Sequence, residues 1–260
     1  MDPTKTKDAR PPLLLLDGGM GHLLRRMGVE IKGEFGSQER FLGVALANSI
    51  QPHLVRDAHV AFIRAGAQVV TTNNYAVVPS ALALAGGKYT SDDLEMLTVE
   101  AALRAREAVA HEEAIAAATK TLSASTHVLV AGSLPPLTAS YRPDLVGSTE
   151  ELEPVYERIA SSLAPHVDLF LLETMSKASE AATAARVASR FGKPVWVSWT
   201  LADPVATDTE SSSAVTLPSG ETLEEAFAAI NGIGNIEVFL VNCCDIKSAR
   251  AALPLLTLMA

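Results

Sequence analysis

Residues 168–199 read DLFLLETMSKASEAATAARVASRFGKPVWVSW, and they predict one complete βαβ unit. The apolar runs at 168–172 and 194–199 have the length and composition of strands, and the alanine-rich stretch between them predicts a helix over 177–191. Neither run alternates strictly between apolar and polar residues, which is typical of strands buried on both faces of a parallel sheet. This stretch therefore predicts an α/β fold with a parallel sheet.

The same alternation of strand and helix extends along the chain. We predict six strands, at 13–16, 68–72, 127–131, 168–172, 194–199 and 236–241. We also predict helices at 52–65, 92–119, 149–164, 177–191, 221–230 and 246–256. N-caps are expected at Thr149 and Ser176, and helix ends at Gly66 and Gly192. No break in composition divides the chain, so we expect a polar tail over residues 1–12 and a single domain over 13–260.

The composition excludes several classes of protein. The 260 residues are 48% hydrophobic and carry a formal net charge of −9, and no basic cluster is larger than Arg25-Arg26. Nucleic acid and anionic membranes are therefore poor partners. The apolar run at 13–16 is too short for a signal peptide or a membrane span, and two adjacent cysteines cannot build a disulfide scaffold. We expect a soluble cytoplasmic protein with reduced thiols.

Polar residues cluster where the predicted strands end, which is where active sites form in βα-barrel architectures. The first strand runs into Asp17-Gly-Gly-Met-Gly21, whose glycines allow a tight turn and close approach of a ligand to backbone amides. Leu24 occupies the third glycine position of a dinucleotide-binding fingerprint, so a hydride-transfer function loses its main support. The alternative is a glycine-rich turn that binds no ligand.

Two further strand ends carry candidate binding residues. The polar run Thr71-Thr-Asn-Asn-Tyr75 follows the second strand, where it serves either a ligand or the cap of the next helix. Glu173 directly follows the apolar run of the fourth strand. A carboxylate there loses hydration energy unless it has a partner, so we expect Glu173 to hold a cationic group, with a structural role as the alternative. Long loops at 138–148 and 202–220 follow the third and fifth strands.

Cys243 and Cys244 are the two cysteines of the chain, and they directly follow the sixth strand. Zinc is normally held by three or four cysteine or histidine ligands, so this pair alone does not complete a coordination shell. The histidines show no metal-site spacing, and no Gly-x-Ser-x-Gly elbow or strand-end lysine indicates a serine hydrolase or a Schiff base. The other ligands are missing, come from elsewhere or are not needed.

Seven motifs, taken together and in order, resemble the homocysteine S-methyltransferases. They are Asp17-Gly-Gly-Met-Gly21, Ala65-Gly-Ala-Gln-Val-Val-Thr-Thr-Asn-Asn-Tyr75, Ala131-Gly-Ser-Leu-Pro-Pro136, Asp168-Leu-Phe-Leu-Leu-Glu-Thr174, Val195-Trp-Val-Ser198, Pro218-Ser-Gly-Glu221 and Val241-Asn-Cys243. The resemblance implies a (β/α)8 barrel of the TIM type. It also implies methyl transfer from a small onium donor, such as S-methylmethionine, S-adenosylmethionine or betaine, to homocysteine, which gives methionine.

The resemblance implies a role for each candidate residue. Asp17 and Glu173 would bind the homocysteine ammonium group, and the backbone amides of Gly18 and Gly19 would complete the pocket with Asn73 and Tyr75. Cys243 matches the first zinc cysteine of the family, and Cys244 is a candidate second ligand. Zinc would lower the pKa of the homocysteine thiol, so no general base on the protein would be required. Tyr75, Trp196 or Trp199 would lie against the donor's cationic group, unless the tryptophans belong to the core.

The sequence departs from the family at its C-terminal end. The other two zinc cysteines of the family lie in a Gly-Gly-Cys-Cys-Gly segment after the eighth strand, whereas this sequence has six predicted βα units. We therefore expect a barrel truncated to about six units, without that zinc segment, whose exposed sheet edges favour a homo-oligomer. Two alternatives remain: a catalytically impaired remnant that binds homocysteine or another amino acid without zinc, and a different barrel enzyme that uses Glu173 as a base.

Overall fold

The computed structural model describes residues 13–34, 36–119, 127–203 and 215–259. It contains one parallel sheet, in which five strands lie side by side in the order in which they occur along the chain. The strands are β1 (Val69–Thr71), β2 (Leu129–Leu134), β3 (Leu169–Met175), β4 (Val195–Trp199) and β5 (Ile236–Val241). Because each strand pairs with the next through a helical connection, the sheet is wound in one direction, as in a barrel.

The predicted helices are confirmed to within a few residues, and three more were missed. The helices are α1 (Met20–Arg26), α2 (Gln38–Ile50), α3 (Pro52–Arg64), α4 (Pro79–Leu82), α5 (Leu94–Thr119), α6 (Thr149–Leu163), α7 (Ala178–Ser189), α8 (Leu223–Ile230) and α9 (Ile246–Met259). Short 3-10 turns lie at Ser91–Asp93 and Pro143–Leu145. The missed helices are α1, α2 and α4. Two of them are only one or two turns long, so their formation depends on packing that local sequence does not show.

The predicted first strand is wrong except at its last residue. Leu16 forms an isolated parallel bridge with Val69, and Gln68 donates from its backbone to Leu15. Leu13, Leu14 and Leu15 are 95%, 50% and 55% exposed. An apolar run of this kind is usually buried between two neighbouring strands. Among the described residues, the run at 13–16 has β1 as a neighbour on one side only. The sheet therefore has five strands, not six.

Both predicted N-caps are displaced by one residue. Ser148, not Thr149, precedes α6 and forms a capping box with Glu151. Lys177, not Ser176, precedes α7, and the first amide of that helix donates to the carboxylate of Glu221 at 2.9 Å. The carboxylate of Glu221, which is distant in sequence, thus caps α7 in place of the hydroxyl of Ser176.

The predicted helix ends at Gly66 and Gly192 are confirmed. Both residues lie just past a helix, and their φ angles are +104° and +66°. Glycine adopts this left-handed conformation at no steric cost, which is why it stops helices so often.

Alternate residues of the strands pack on opposite faces of the sheet. On the concave face, one cluster contains Val69, Ala131, Leu169, Leu171 and Trp196. The other face packs against the helices through residues such as Val70, Phe170, Leu172, Val197 and Trp199. Strands buried on both faces explain the unbroken apolar runs in the sequence.

The sheet does not close into a barrel within the described residues. There β5 pairs only with β4, and its residues are half-buried or exposed. Helix α9 packs on this edge through Ala252 and Leu256 but leaves Leu253 58% and Leu258 84% exposed. None of the helices in the described part of the chain is both long and apolar enough to cross a membrane.

Candidate active site

A cavity of about 700 Å³ opens at the carboxyl ends of the strands. Its walls come from the glycine-rich turn before α1, from α2, and from the last residues of β1, β3, β4 and β5. The cavity brings together most of the site residues predicted from sequence, namely Asp17, Gly18, Gly19, Asn73, Tyr75, Glu173 and Cys243, and it leaves out Cys244 and the two tryptophans. These residues are up to 226 positions apart in sequence, from Asp17 to Cys243, so only the sheet places them around one space.

Asp17 is fixed at the edge of the sheet by the end of β1. Its Oδ2 accepts a hydrogen bond from the backbone N–H of Thr71 at 2.8 Å, and its Oδ1 accepts one from Thr71 Oγ1 at 3.1 Å. Burial nevertheless raises the pKa of the Asp17 carboxyl to about 6, with the Thr71 hydrogen bonds opposing that rise. The carboxyl is therefore only partly ionised just below neutral pH until a cation is present.

Glu173 lies on the cavity side of β3, at the point where a bulge shifts the pairing of that strand with β4. Leu172 pairs with Val197 and Met175 pairs with Trp199, so three steps along β3 match two along β4. Burial raises the pKa of Glu173 to about 7, and the charge of Asp17 contributes to that rise. The two carboxyls thus lie close enough to repel each other when both are ionised.

A buried hydrogen-bond network supports Glu173 from behind. Ser133 Oγ donates a short hydrogen bond to Glu173 Oε1, and the Ser133 backbone N–H donates to Thr72 Oγ1 at 2.9 Å. Thr72 Oγ1 donates to Asn74 Oδ1 at 2.6 Å, and Asn74 Nδ2 donates to the Ser133 carbonyl at 3.0 Å. Ser133 and Asn74 are fully buried, so this network fixes the direction of the Glu173 carboxyl.

The glycine-rich turn has a packing requirement as well as an open face. A Cβ atom on Gly18 would lie 3.0 Å from Phe62 Cε1, and one on Gly21 would lie 3.0 Å from Val44 Cγ2. These glycines allow the turn to pack closely against α3 and α2 while Gly18 and Gly19 line the cavity. Close packing alone therefore explains why Gly18 and Gly21 are glycines, as it would in a turn that binds no ligand. The location of the turn beside the cavity is a separate observation.

Asn73 and Tyr75 are held by the neighbouring elements and do not cap a helix. Asn73 Nδ2 donates to the Val44 carbonyl at 2.9 Å, which ties the end of β1 to α2. The Tyr75 hydroxyl lies 2.6 Å from Ser140 Oγ, and its ring packs edge-on against Phe41 at 5.5 Å between centroids. Tyr75 therefore presents its aromatic side chain to the cavity. The side-chain amide of Asn73 instead donates its hydrogen bond within the protein.

Three residues that line the cavity have a left-handed backbone conformation. Tyr141, Thr174 and Cys243 all line it, and their φ angles are 61°, 58° and 51°. Such conformations cost of order 1–3 kcal/mol for residues other than glycine and recur at functional sites. Sequence reasoning missed Tyr141 and Thr174, because no residue type in their surroundings signals the backbone that places them.

The two cysteines have different surroundings. Cys243 is exposed and lines the cavity, with Asn242 Nδ2 at 3.5 Å from its sulfur. Cys244 is partly buried and packs against the core between the sheet and the helices. Within the described residues there is no group of three or more histidine, cysteine, aspartate or glutamate side chains that could hold a metal ion. By themselves, these residues do not complete a zinc site.

The two tryptophans belong to the core and do not line the cavity. Trp196 is 5% exposed in the cluster on the concave face of the sheet. Trp199 is fully buried on the other face and stacks on Phe239 at 6.1 Å between centroids. Tyr75 is therefore the one residue of the three aromatic candidates that lines the cavity.

Comparisons with known proteins agree on one family. The profile of the family described as homocysteine S-methyltransferase matches residues 14–260. Homocysteine S-methyltransferase of Escherichia coli K12 is 29% identical over 250 residues, covering 93% of this chain and 72% of that enzyme. Homocysteine S-methyltransferase 2 of Zea mays is 27% identical over 248 residues, covering 91% of this chain and 67% of the maize protein.

A solved structure has the same fold. The crystal structure of the homocysteine methyltransferase MmuM from Escherichia coli, in its metallated form, superposes with a TM-score of 0.77 at 26% sequence identity. The match covers 95% of this chain and 80% of that one. The fold is thus that of a TIM-barrel-like methyltransferase, with a sheet that is open within the described residues.

Proposed function

This chain belongs to the homocysteine S-methyltransferase family, and from that premise we propose that it transfers a methyl group to the sulfur of homocysteine, giving methionine. The donor would be a small onium compound such as S-methylmethionine, S-adenosylmethionine or betaine. The observation that carries the proposal is that Asp17, Glu173 and Cys243 line one cavity at the carboxyl end of the sheet. Two carboxyls and a thiol in one space suit an amino acid that carries both an ammonium group and a sulfur atom.

Asp17 and Glu173 would bind the ammonium group of homocysteine. Burial keeps the pKa of each carboxyl above its ordinary value, so the empty cavity holds at least one of them partly protonated near neutral pH. An ammonium group between them would offset both the lost hydration and their mutual repulsion. Binding would therefore release protons, and affinity for homocysteine would rise with pH through the range of 6 to 7 given by these two pKa values.

The glycine-rich turn and Tyr75 would complete the pocket. Gly18 and Gly19 carry no side chain between their backbone and the cavity, so their amides are available to the substrate carboxylate. Tyr75 would lie beside the sulfur or the cationic methyl group, because it presents its ring to the cavity while Ser140 holds its hydroxyl. Asn73 would act indirectly, through its hydrogen bond to α2.

Zinc is part of the proposal as a cofactor, with Cys243 as one ligand. Bound zinc activates thiols by favouring the thiolate form. The support is the cavity-facing thiol of Cys243 together with the metallated form of the Escherichia coli relative. Because the described residues do not complete a shell, the roles assigned to Asp17, Glu173 and Tyr75 are binding and orientation of substrate and do not depend on the metal.

The alternative function is amino-acid binding without turnover. It is favoured by one observation, namely that no cluster of three metal-binding side chains occurs in the described ranges. The ammonium pocket of Asp17 and Glu173 is built independently of the cysteines, since Thr71 and Ser133 hold it. A chain with this pocket alone would bind homocysteine and methionine but transfer no methyl group.

Calorimetric titration with homocysteine and with methionine, followed by assay of methionine formation with each of the three donors, tests both functions. We expect the chain to bind homocysteine, and Glu173→Gln to lose that binding. The control is Glu224→Gln, which removes an exposed carboxylate on α8. Binding with turnover supports the methyltransferase, and binding without turnover supports the alternative. The absence of heat with either amino acid would contradict both.

We also propose a cytoplasmic location and self-association. The location is supported by the two free thiols, which are maintained in a reducing compartment. Self-association is supported by the edge of β5 and by the exposed apolar residues Leu13, Ile246 and Leu258. Light scattering on the purified chain measures the second property directly, and a monomer at all concentrations would contradict it.

A further inference from the structure

The segment that follows β2 has no regular secondary structure and reaches the wall of the cavity at its last residue, Tyr141. We call residues 135–141 the wall segment; it follows β2 and ends at Tyr141, which lines the cavity with a left-handed backbone. Its residue Ser140 holds the hydroxyl of Tyr75 at 2.6 Å. The positions of both cavity tyrosines therefore depend on where this segment lies.

Side chains from the surrounding helices hold the backbone of the wall segment. Tyr156 on α6 donates to the Pro135 carbonyl at 3.0 Å. Ser80 on α4 lies 2.7 Å from the carbonyl of Leu137 and 2.9 Å from that of Thr138, and Gln38 on α2 also donates to the latter. The position of the wall segment therefore depends on these supporting side chains.

Among these hydrogen bonds of the wall segment, one uses a backbone N–H as the donor, that of Leu137, and Glu180 on α7 supplies its acceptor. Its Oε1 accepts a hydrogen bond from the Leu137 N–H at 3.0 Å and lies 3.2 Å from the Tyr156 hydroxyl. The Tyr156 hydroxyl has one proton and two acceptors, Glu180 and the Pro135 carbonyl, so Glu180 and Tyr156 act as one unit on the segment.

Helix packing alone does not explain a carboxyl at this position. Glu180 is 1% exposed, and its Oε2 has no hydrogen-bond partner among the residues described. A buried carboxyl with an unsatisfied oxygen is unfavourable for stability, and an apolar side chain would fill the same space without that cost. It does not line the cavity, so substrate contact does not explain it either.

We propose that Glu180 is a positioning residue of the active site, which holds the wall segment through Leu137 so that Tyr75 and Tyr141 keep their places in the cavity. This inference rests on the proposed function for the identity of the ligand, but the contact itself does not. Removing the acceptor would release Leu137 and let the segment shift. A displacement of that kind, of an ångström or less, weakens binding and catalysis out of proportion to its effect on the fold.

Three variants separate positioning from general stability. Glu180→Gln keeps a carbonyl oxygen that accepts from Leu137, whereas Glu180→Met keeps the length of the side chain and removes the acceptor. Val187→Ala is the matched control, because Val187 is fully buried on the same helix, about 10 Å along its axis. It lowers stability through the core, with no change to the hydrogen bonds of the wall segment.

The first measurement is the dissociation constant for homocysteine by calorimetry, beside the midpoint of thermal unfolding. We expect Glu180→Met to weaken binding about tenfold, and Glu180→Gln to stay within about twofold of the wild type. Val187→Ala should lower the unfolding midpoint and leave the dissociation constant unchanged. Equal weakening in Glu180→Met and Val187→Ala, or wild-type binding in Glu180→Met, would overturn the proposal.

The second measurement needs no ligand, so it separates this inference from the proposed function. Amide hydrogen exchange over residues 137–142 should be faster in Glu180→Met than in Val187→Ala, and unchanged in Glu180→Gln. If the wild type does not bind homocysteine but this pattern of exchange is found, the proposed function fails and the positioning role stands. Unchanged exchange in Glu180→Met would refute the positioning role, whatever the wild type binds.

Discussion

Thr174 and Asn242 bind each other reciprocally across the end of the sheet. The backbone N–H of Thr174 donates to Asn242 Oδ1 at 3.0 Å, and Asn242 Nδ2 donates to Thr174 Oγ1 at 2.9 Å. Thr174 follows Glu173 and Asn242 precedes Cys243, so one pair of hydrogen bonds connects the carboxyl side of the cavity to the thiol side. The pair also explains how a β-branched residue is held at a φ of 58°.

Asn242→Ala should therefore be costly. Asn242 Oδ1 accepts from the Thr174 N–H and from Ser198 Oγ at 2.8 Å, and both donors would lose their acceptor. We expect the free energy of unfolding to fall by about 2 kcal/mol. Ser198→Ala removes one donor and leaves the amide bound to Thr174, so its cost should be below about 1 kcal/mol. Urea unfolding of the two variants gives the comparison, and the reverse order would contradict this account.

Glu173→Gln should stabilise the empty protein at pH 8 although it removes a binding residue. The pKa of Glu173 rises from 4.5 in the unfolded chain to about 7 in the folded one. The folded state therefore holds the proton more tightly, and stability is lost as pH rises from 4.5 to about 7. Over this range the free energy of unfolding of the wild type should fall by on the order of 3 kcal/mol. Glu173→Gln has no carboxyl at this position and should not show this loss.

Urea unfolding at pH 5 and pH 8 measures this difference. The wild type should lose more stability than Glu173→Gln between the two values, because the variant lacks both the titration of Glu173 and the repulsion between Glu173 and Asp17. The exposed-site variant Glu224→Gln should follow the wild type. Parallel pH profiles for Glu173→Gln and the wild type would mean that Glu173 is ionised without penalty in the empty cavity.

The buried side chain of His59 should lower the free energy of unfolding in mild acid. It is fully buried on α3 with no hydrogen-bond partner for either ring nitrogen in the described residues, and burial lowers its pKa from 6.5 to about 4. The folded state excludes the proton that the unfolded state binds, so stability is lost as pH falls from 6.5 to about 4. The full loss is about 3 kcal/mol.

The variant His59→Leu should be more stable than the wild type at pH 4.5 and should show a smaller change between pH 4.5 and 7. His53→Leu is the matched control, because His53 lies exposed on the same helix. Thermal unfolding at the two pH values is sufficient. A control that gains as much stability as His59→Leu would show that the gain comes from leucine in the helix and not from removal of the buried ring.

Zinc content distinguishes the two cysteines. We expect about one zinc per chain by elemental analysis, lost in Cys243→Ser because this thiol faces the cavity. Cys244→Ser should keep the metal if the thiol of Cys244 serves the core, where it packs, and should lose it if Cys244 is the second ligand. A metal-free wild type would leave amino-acid binding as the function of the pocket.

The sequence predicted the beginnings of the five observed strands to within two residues, and their ends to within three. Glu173 and Cys243 were predicted as site residues because a polar residue after a buried apolar run is unusual on physical grounds. Both line the cavity, although Glu173 lies within β3 and not after it. The run at 13–16 has the same apolar character, but whether it becomes a strand depends on a neighbour on its other side, which is not a property of the run. The glycine-rich turn was placed correctly, and its close packing on Phe62 is visible only in the fold.

Other parts of the site could not be predicted from local sequence. Tyr141 and Thr174 line the cavity with left-handed backbone, which neither residue type favours, and at Thr174 the hydrogen bonds with the distant Asn242 maintain it. Glu180 looks in sequence like an acidic residue in the first turn of a helix, where such residues are common. The roles of the residues in the wall segment depend on contacts over 43 positions, from Leu137 to Glu180.

The bulge in β3 acts as a phase shift in the strand. Up to Leu172 the even-numbered residues face the helices, but Met175 also does so, fully buried in that core opposite Trp199. Glu173 therefore completes the inward series, and the next inward position is skipped. Glu173 and Thr174 thus lie opposite the single residue Ser198 of β4, and the bulge gives the cavity two residues of β3 where an unbroken strand would give one.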